Sequence, residues 1–141
     1  MNKEIENGQN KLTDTTRAKL KDVSRAFLRL HKILLDGAKA EYEAAHEVIS
    51  SANQYLQLVI DDEHFAWLRK ISALVALVDE ATSLRRPATE TDALALLGEA
   101  KILLEFEDAD VTFNDKLQTA LQNNPDAVIS FNDAKRHLSD K

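Results

Sequence analysis

The sequence predicts an all-α protein, a helical bundle built on one long antiparallel helix pair with three shorter helices. Apolar residues recur with a 3.6-residue period along most of the 141-residue chain, and no strand-like alternation or internal repeat is present. Only 3 glycines and 2 prolines occur, which favours long helices over a turn-rich β fold. Residues 14–141 are therefore expected to form a single helical domain after a polar, flexible tail over residues 1–13.

The composition of the chain bears on its cellular location. The chain has no cysteine, and its start lacks the apolar core of a signal peptide, so we expect a cytoplasmic protein. The longest apolar runs fall far short of the roughly 20 residues that a membrane span requires. No membrane partner is therefore expected.

The two long helices are predicted over about residues 15–49 and 62–84. Leu20, Phe27 and Leu34 mark the apolar side of the first helix. A short helix over 54–60 is expected to connect the pair. The second helix is apolar on most faces from Phe65 onward, which predicts a helix surrounded by other chain, with Asp79 deep in the core.

Three shorter helices are predicted after the pair. Each is preceded by a capping pattern, namely Thr89 with Asp92, Thr112 with Asp115, and Asn124 with Pro125.

Two polar residues fall inside the apolar stripes of the long helices. His31 lies among the apolar positions of the first helix, and Asp79 lies nearly in line with Ser72 on the second. If the pair turns near residues 51–61, His31 and Asp79 reach a similar height and are predicted to lie close together. They form either a dyad with Ser72 as the candidate nucleophile or a structural pair that fixes helix register. The structural interpretation is preferred, and no catalytic residue is assigned.

Phe65 and Trp67 are the candidate pocket or docking aromatics, with core packing as the alternative interpretation. Glu43 and His46 match one copy of the Glu-x-x-His pattern of di-iron bundles. Because the second copy is missing and Glu43 lies on the polar side of its helix, no metal site and no cofactor are predicted.

Charge is unevenly distributed along the chain. Residues 11–32 carry seven bases and two acids, whereas the whole chain has a net charge of −6. Arg25, Arg29 and Lys32 form a basic face that meets an acidic surface of this chain or of a second copy, or binds nucleic-acid phosphate. No exposed aromatic residue stands among these bases to stack on a nucleobase, so nucleic acid is the less favoured partner.

Four segments of the chain form a recognisable pattern, namely Leu30-His31-Lys32, Leu56-Gln57-Leu58, Phe65-Ala66-Trp67-Leu68-Arg69 and Asp79-Glu80. This pattern resembles that of a family of small all-helical bacterial proteins without an assigned activity. The resemblance covers roughly residues 24–104. It implies a bacterial cytosolic protein and draws attention to His31, Arg69 and Asp79, but it implies no activity, substrate or cofactor.

The leading hypothesis from the sequence is a non-enzymatic helical interaction or structural protein, expected as a homodimer or bound to a protein partner. The alternative is a small-ligand or metal-binding bundle with its site near His31 and Asp79. The third hypothesis is a nucleic-acid accessory protein that uses the basic face of helix one.

Overall fold

The computed structural model describes residues 10–139, and within that range it confirms the all-α prediction. It contains six α-helices and one 3-10 helix, which are α1 (Asp14–Ala45), α2 (Ala52–Asp61), the 3-10 helix (Glu63–Leu68), α3 (Arg69–Ala81), α4 (Glu90–Leu104), α5 (Val111–Asn123) and α6 (Pro125–Leu138). No helix in the described range is long and apolar enough to cross a membrane.

The central element is α1, which packs against α3, α4, α6 and the 3-10 helix. The centre of its apolar side is buried, as the periodicity predicts, with Leu20, Phe27 and Leu30 at most 1% exposed, whereas Leu28 at its edge is 49% exposed. The helix ends at Ala45, before the predicted end. The chain turns back there because the Glu43 carboxylate accepts a hydrogen bond from the backbone N–H of Ile49 at 2.8 Å.

The predicted second long helix is instead a 3-10 helix followed by α3. Asp62 starts the 3-10 helix, since its carboxylate accepts the backbone N–H of His64 at 2.9 Å and its carbonyl accepts that of Phe65 at 3.1 Å. These contacts reach forward only two and three residues, so they wind the chain tighter than an α-helix. Side chains three apart then point the same way, and Phe65 and Leu68 both enter the core.

The prediction that this second helix is surrounded by other chain is wrong for α3. One side of α3 is buried, whereas an exposed small-residue face carries Ser72, Ala73 and Ala76. Alanine counts as apolar in a sequence pattern, but its exposure costs little because its side chain has little surface to hide from water.

Two of the three predicted caps of the shorter helices are present in the structure. Thr89 caps α4 by accepting the backbone N–H of Asp92, and Asn124 caps α6 with Pro125 at its first turn. The predicted cap at Thr112 is wrong, because Asp110 occupies that position and accepts the backbone N–H of Phe113 at 3.2 Å.

Residues 10–13, which the sequence assigns to the tail, lie against the start of α4. Lys11 bridges to Thr89, and the side chain of Leu12 is only 6% exposed. Glu90 accepts two hydrogen bonds there, one from the backbone of Thr13 at 2.9 Å and one from the hydroxyl of Thr16 at 2.5 Å. Residues 1–9 of the predicted tail lie outside the described residues.

Acidification is expected to weaken this attachment. The hydrogen bond from the Thr16 hydroxyl, reinforced by the Thr13 backbone, lowers the pKa of Glu90 below its ordinary value of 4.5. A carboxyl whose pKa is lower in the folded state stabilises the fold above its unfolded pKa and loses that contribution as pH falls through the folded value. Urea unfolding below about pH 4.5 should therefore show a steeper loss of stability for wild type than for Glu90→Gln. Equal slopes for the two proteins would contradict this role.

Candidate functional site

The predicted His31 and Asp79 pair does not form a hydrogen bond in the structure. Asp79 is exposed rather than deep in the core, and its carboxylate accepts a hydrogen bond from the hydroxyl of Ser24 at 2.7 Å. Ser72 is also exposed, and its hydroxyl donates to the carbonyl of Arg69 at 3.2 Å. The three residues therefore supply no nucleophile, base and orienting acid in one arrangement.

Helix register explains the difference. Ser24 contacts Asp79, and Ala38 contacts His64. The two helical segments therefore pack with a register that differs by about seven residues from the predicted one. Seven residues of α-helix separate Ser24 from His31 by about 10 Å along the axis. The prediction placed one short helix within a turn near residues 51–61, whereas the 3-10 helix Glu63–Leu68 follows α2 and lengthens the connection. Partial burial lowers the pKa of His31, which favours its neutral form.

The basic face of α1 is largely paired within this chain. Arg25 bonds Asp22 at 2.9 Å and Lys32 bonds Asp36 at 3.1 Å, both on α1 itself, while Arg29 reaches across to α6. These exposed pairs each contribute at most about 1 kcal/mol, but they neutralise the face locally. The described surface therefore offers less free positive charge than the sequence count indicates.

The candidate aromatics separate into one core residue and one surface residue. Phe65 has no exposure, and its ring lies 5.0 Å from that of His64 and 5.9 Å from that of Tyr42. Trp67, two residues further along the same 3-10 helix, is only partly buried and rests beside Phe113 at 6.2 Å between ring centroids. Phe65 therefore packs in the core, while Trp67 lies partly exposed at the surface.

Trp67 lies at the centre of a groove between α1 and α5. Three cavities of about 370, 220 and 440 Å³ adjoin one another there, since all three share Trp67. We call this the Trp67 groove. Its lining includes Leu34, Gly37, Ala38 and Glu41 from α1, Glu63, His64 and Ala66 from the 3-10 helix, Asp110 as the cap of α5, Thr112, Asp115, Lys116, Thr119, Ala120 and Asn123 from α5, and Asn124.

His64 fixes the position of the tryptophan relative to α1. Its Nε2 donates a hydrogen bond to the carbonyl oxygen of Ala38 at 2.7 Å, and the same nitrogen lies 3.9 Å from the Glu41 carboxylate. Arg69, at the next turn, bonds the carbonyls of Val59 and Asp62, each at 3.2 Å. The segment that carries Trp67 is thus held on both sides, so the indole faces a preformed groove.

Negative charge dominates the Trp67 groove. Four carboxylates line it, those of Glu41, Glu63, Asp110 and Asp115, against one ammonium, that of Lys116. Within residues 10–139 the carboxylates of Glu63 and Asp115 have no hydrogen-bond or ion-pair partner. A groove lined by more carboxylates than cations favours a cationic occupant, because the negative potential of its walls attracts positive charge.

A second cavity, of about 600 Å³, lies between α1 and α6. Asp133 bonds both Arg29 and Arg136, so three of the four charged side chains in the lining of this cavity are paired, while the carboxylate of Asp126 has no partner within residues 10–139. The hydrogen bond from Arg29, with that from Arg136, lowers the pKa of Asp133 and keeps it ionised. Among the described residues this cavity therefore presents one unpaired carboxylate, compared with two in the Trp67 groove.

The described part of the chain shows no candidate metal-binding site. Residues 10–139 contain no group of three or more histidine or acidic side chains placed to hold a metal ion. Glu43 instead binds the backbone of Ile49, and the ring of His46 stacks on that of Tyr42 at 4.2 Å between centroids.

Sequence reasoning found Trp67 but missed the groove around it. The residues of its α5 wall, Asp115, Lys116 and Thr119, are some fifty positions away from Trp67 in the chain. Their exposed polar pattern is typical of any solvated helix face. The available signal was the chain's single tryptophan beside a cluster of acids.

Comparison with known proteins gives no match, since no family model, curated protein or solved structure matches this chain. The bacterial family that the sequence resembles therefore stays a prediction. The geometry of the Trp67 groove must carry the functional argument by itself.

Proposed function

We propose that the protein is a non-enzymatic helical binding module that docks a segment of a partner protein in the Trp67 groove. The observation that carries the proposal is the partly exposed indole of Trp67 at the junction of three adjoining cavities. Tryptophan is the residue most often found at energetic centres of protein interfaces, because it buries a large rigid surface. A cytoplasmic location is part of the proposal.

The groove has the size of a peptide site. It follows α5 from Thr112 to Asn123, a length of about 17 Å. That length accommodates about five residues of extended chain or three turns of helix. Buried apolar side chains, Leu34 and Ala38, form part of its floor, while polar groups form its rim. An apolar floor with a polar rim is the usual composition of a protein-binding surface.

A second candidate is self-association through α3. The exposed small-residue face, Ser72 with Ala73 and Ala76, is flanked by Leu77, which is 50% exposed. Small side chains allow another helix to approach closely, so this face suits a homodimer. Native mass spectrometry of wild type and of Ala76→Glu distinguishes the candidates. A dimer that Ala76→Glu disrupts would favour self-association through α3.

Site-specific photo-crosslinking tests the docking proposal. A benzophenone amino acid at Thr119 lies in the groove, and the same probe at Glu99 lies on the exposed side of α4 as a matched control. In cells that naturally make the protein, we expect an adduct of defined mass from position 119 and none from position 99. Equal adducts from both positions, or none from position 119, would contradict the proposal.

A further inference from the structure

We infer that the segment bound in the Trp67 groove is basic, with an arginine or lysine side chain over the indole between Glu41 and Asp115. This inference rests on the proposed function and adds the chemical class of the partner. Glu41 stands on α1 and Asp115 on α5, and both residues line the same cavity as Trp67.

Charge complementarity carries the inference. The groove holds four carboxylates and one ammonium. Two of these carboxylates, those of Glu63 and Asp115, have no hydrogen-bond or ion-pair partner within residues 10–139. A basic segment would place its cations within reach of these groups and speed association by electrostatic steering. A phosphate-bearing partner would meet repulsion along the same path.

The tryptophan selects the same chemistry independently of the carboxylates. Cations bind the face of an aromatic ring, and among aromatic side chains tryptophan binds them best. Arginine adds planar stacking, and its aliphatic stem suits an apolar floor. In this groove, Leu34, Ala38 and Ala120 supply that floor next to Trp67. The ring, the floor and the charged walls thus favour one type of side chain.

The basic face of α1 on a second copy of this chain fits the groove less well. Its basic residues on α1, Arg25, Arg29 and Lys32, are already paired with Asp22, Asp133 and Asp36. Insertion of that face into the Trp67 groove would break these pairs, and the three partner carboxylates would then face an acidic surface.

Selection from a random peptide library tests the inference without knowledge of the natural partner. Phage that display random twelve-residue peptides are selected on the full-length wild-type protein and counter-selected on Trp67→Ala. We expect the peptides that require Trp67 to be enriched in arginine and lysine. Their affinity should fall about tenfold when Glu41→Gln and Asp115→Asn are combined, and should also fall with rising salt.

A charge pair at one position supplies the matched control. Thr119 is exposed in the α5 wall, so substitution there leaves the core intact. Thr119→Lys and Thr119→Glu add side chains of comparable reach and opposite charge. We expect Thr119→Lys to weaken a selected peptide about tenfold and Thr119→Glu to preserve or tighten its binding.

The outcomes separate the two proposals. Neutral or acidic peptides that require Trp67 would overturn the basic class and leave the docking function standing. Peptides that bind wild type and Trp67→Ala equally, or failure to recover any peptide, would overturn both. Dimer formation that shifts Trp67 emission without peptide would identify a second copy as the occupant and overturn the inference.

Discussion

Replacing Phe65 with alanine is expected to lower the free energy of unfolding by about 3–5 kcal/mol. Phe65 is wholly buried on the 3-10 helix, where its ring contacts those of Tyr42, Tyr55 and His64. Its removal leaves a cavity beneath the segment that positions Trp67, and surrounding side chains with fixed contacts will refill it only in part. Urea unfolding monitored by circular dichroism measures the loss.

Trp67→Ala provides the comparison, since it removes an aromatic ring two residues away. Because Trp67 is partly exposed, we expect it to lose clearly less stability than Phe65→Ala while abolishing binding in the groove. A loss for Trp67→Ala as large as that for Phe65→Ala would contradict the assignment of Trp67 to a ligand surface and favour the core-packing interpretation.

Ala134→Leu is expected to destabilise the protein by about 2–3 kcal/mol through overpacking. Ala26 on α1 and Ala127 and Ala134 on α6 have no exposure, and these two helices pack along each other more extensively than any other pair. Small side chains allow this close approach, so three added carbon atoms must push the helices apart. Ala95→Leu on α4 is the control, since Ala95 is exposed and should tolerate the change within about 0.5 kcal/mol.

The same substitution should weaken peptide binding in the Trp67 groove. α5 packs mainly on α6 and on the 3-10 helix, so the distance between its groove wall and α1 depends on the seating of α6. We expect Ala134→Leu to reduce the affinity of a selected peptide under conditions where the variant remains folded. Unchanged stability and affinity would show that the α1–α6 contact is looser than the buried alanines indicate.

The helices were predictable because periodic burial and capping act locally. The apolar side of α1, the cap at Thr89 and the Asn124–Pro125 start of α6 each depend on residues within one or two turns. The end of α1 and the 3-10 helix depend on bonds that are equally local, in which the Glu43 carboxylate accepts the backbone N–H of Ile49 and the Asp62 carboxylate accepts that of His64. Side-chain contacts of this kind end or tighten a helix, although the apolar periodicity of the sequence continues through the same residues.

The candidate site was less predictable because it depends on register and on distant helices. A shift of about seven residues placed Asp79 against Ser24 and away from His31, and Asp79 is exposed rather than buried in the core. Trp67 was identified as a candidate, but its neighbours Glu41 and Asp115 come from helices on either side of it in the chain. Periodicity specifies which side of a helix is apolar, and does not specify how two helices approach.

The emission of Trp67 reports on peptide binding in the groove, because Trp67 is the single tryptophan of the chain and lines the groove. The measurement is a titration of the wild-type protein with the tightest basic peptide recovered, followed by acrylamide quenching at saturation. We expect a saturable change in emission and reduced quenching, with both effects weakened in Thr119→Lys. Saturating peptide that leaves the emission and the quenching of Trp67 unchanged would contradict docking in the Trp67 groove.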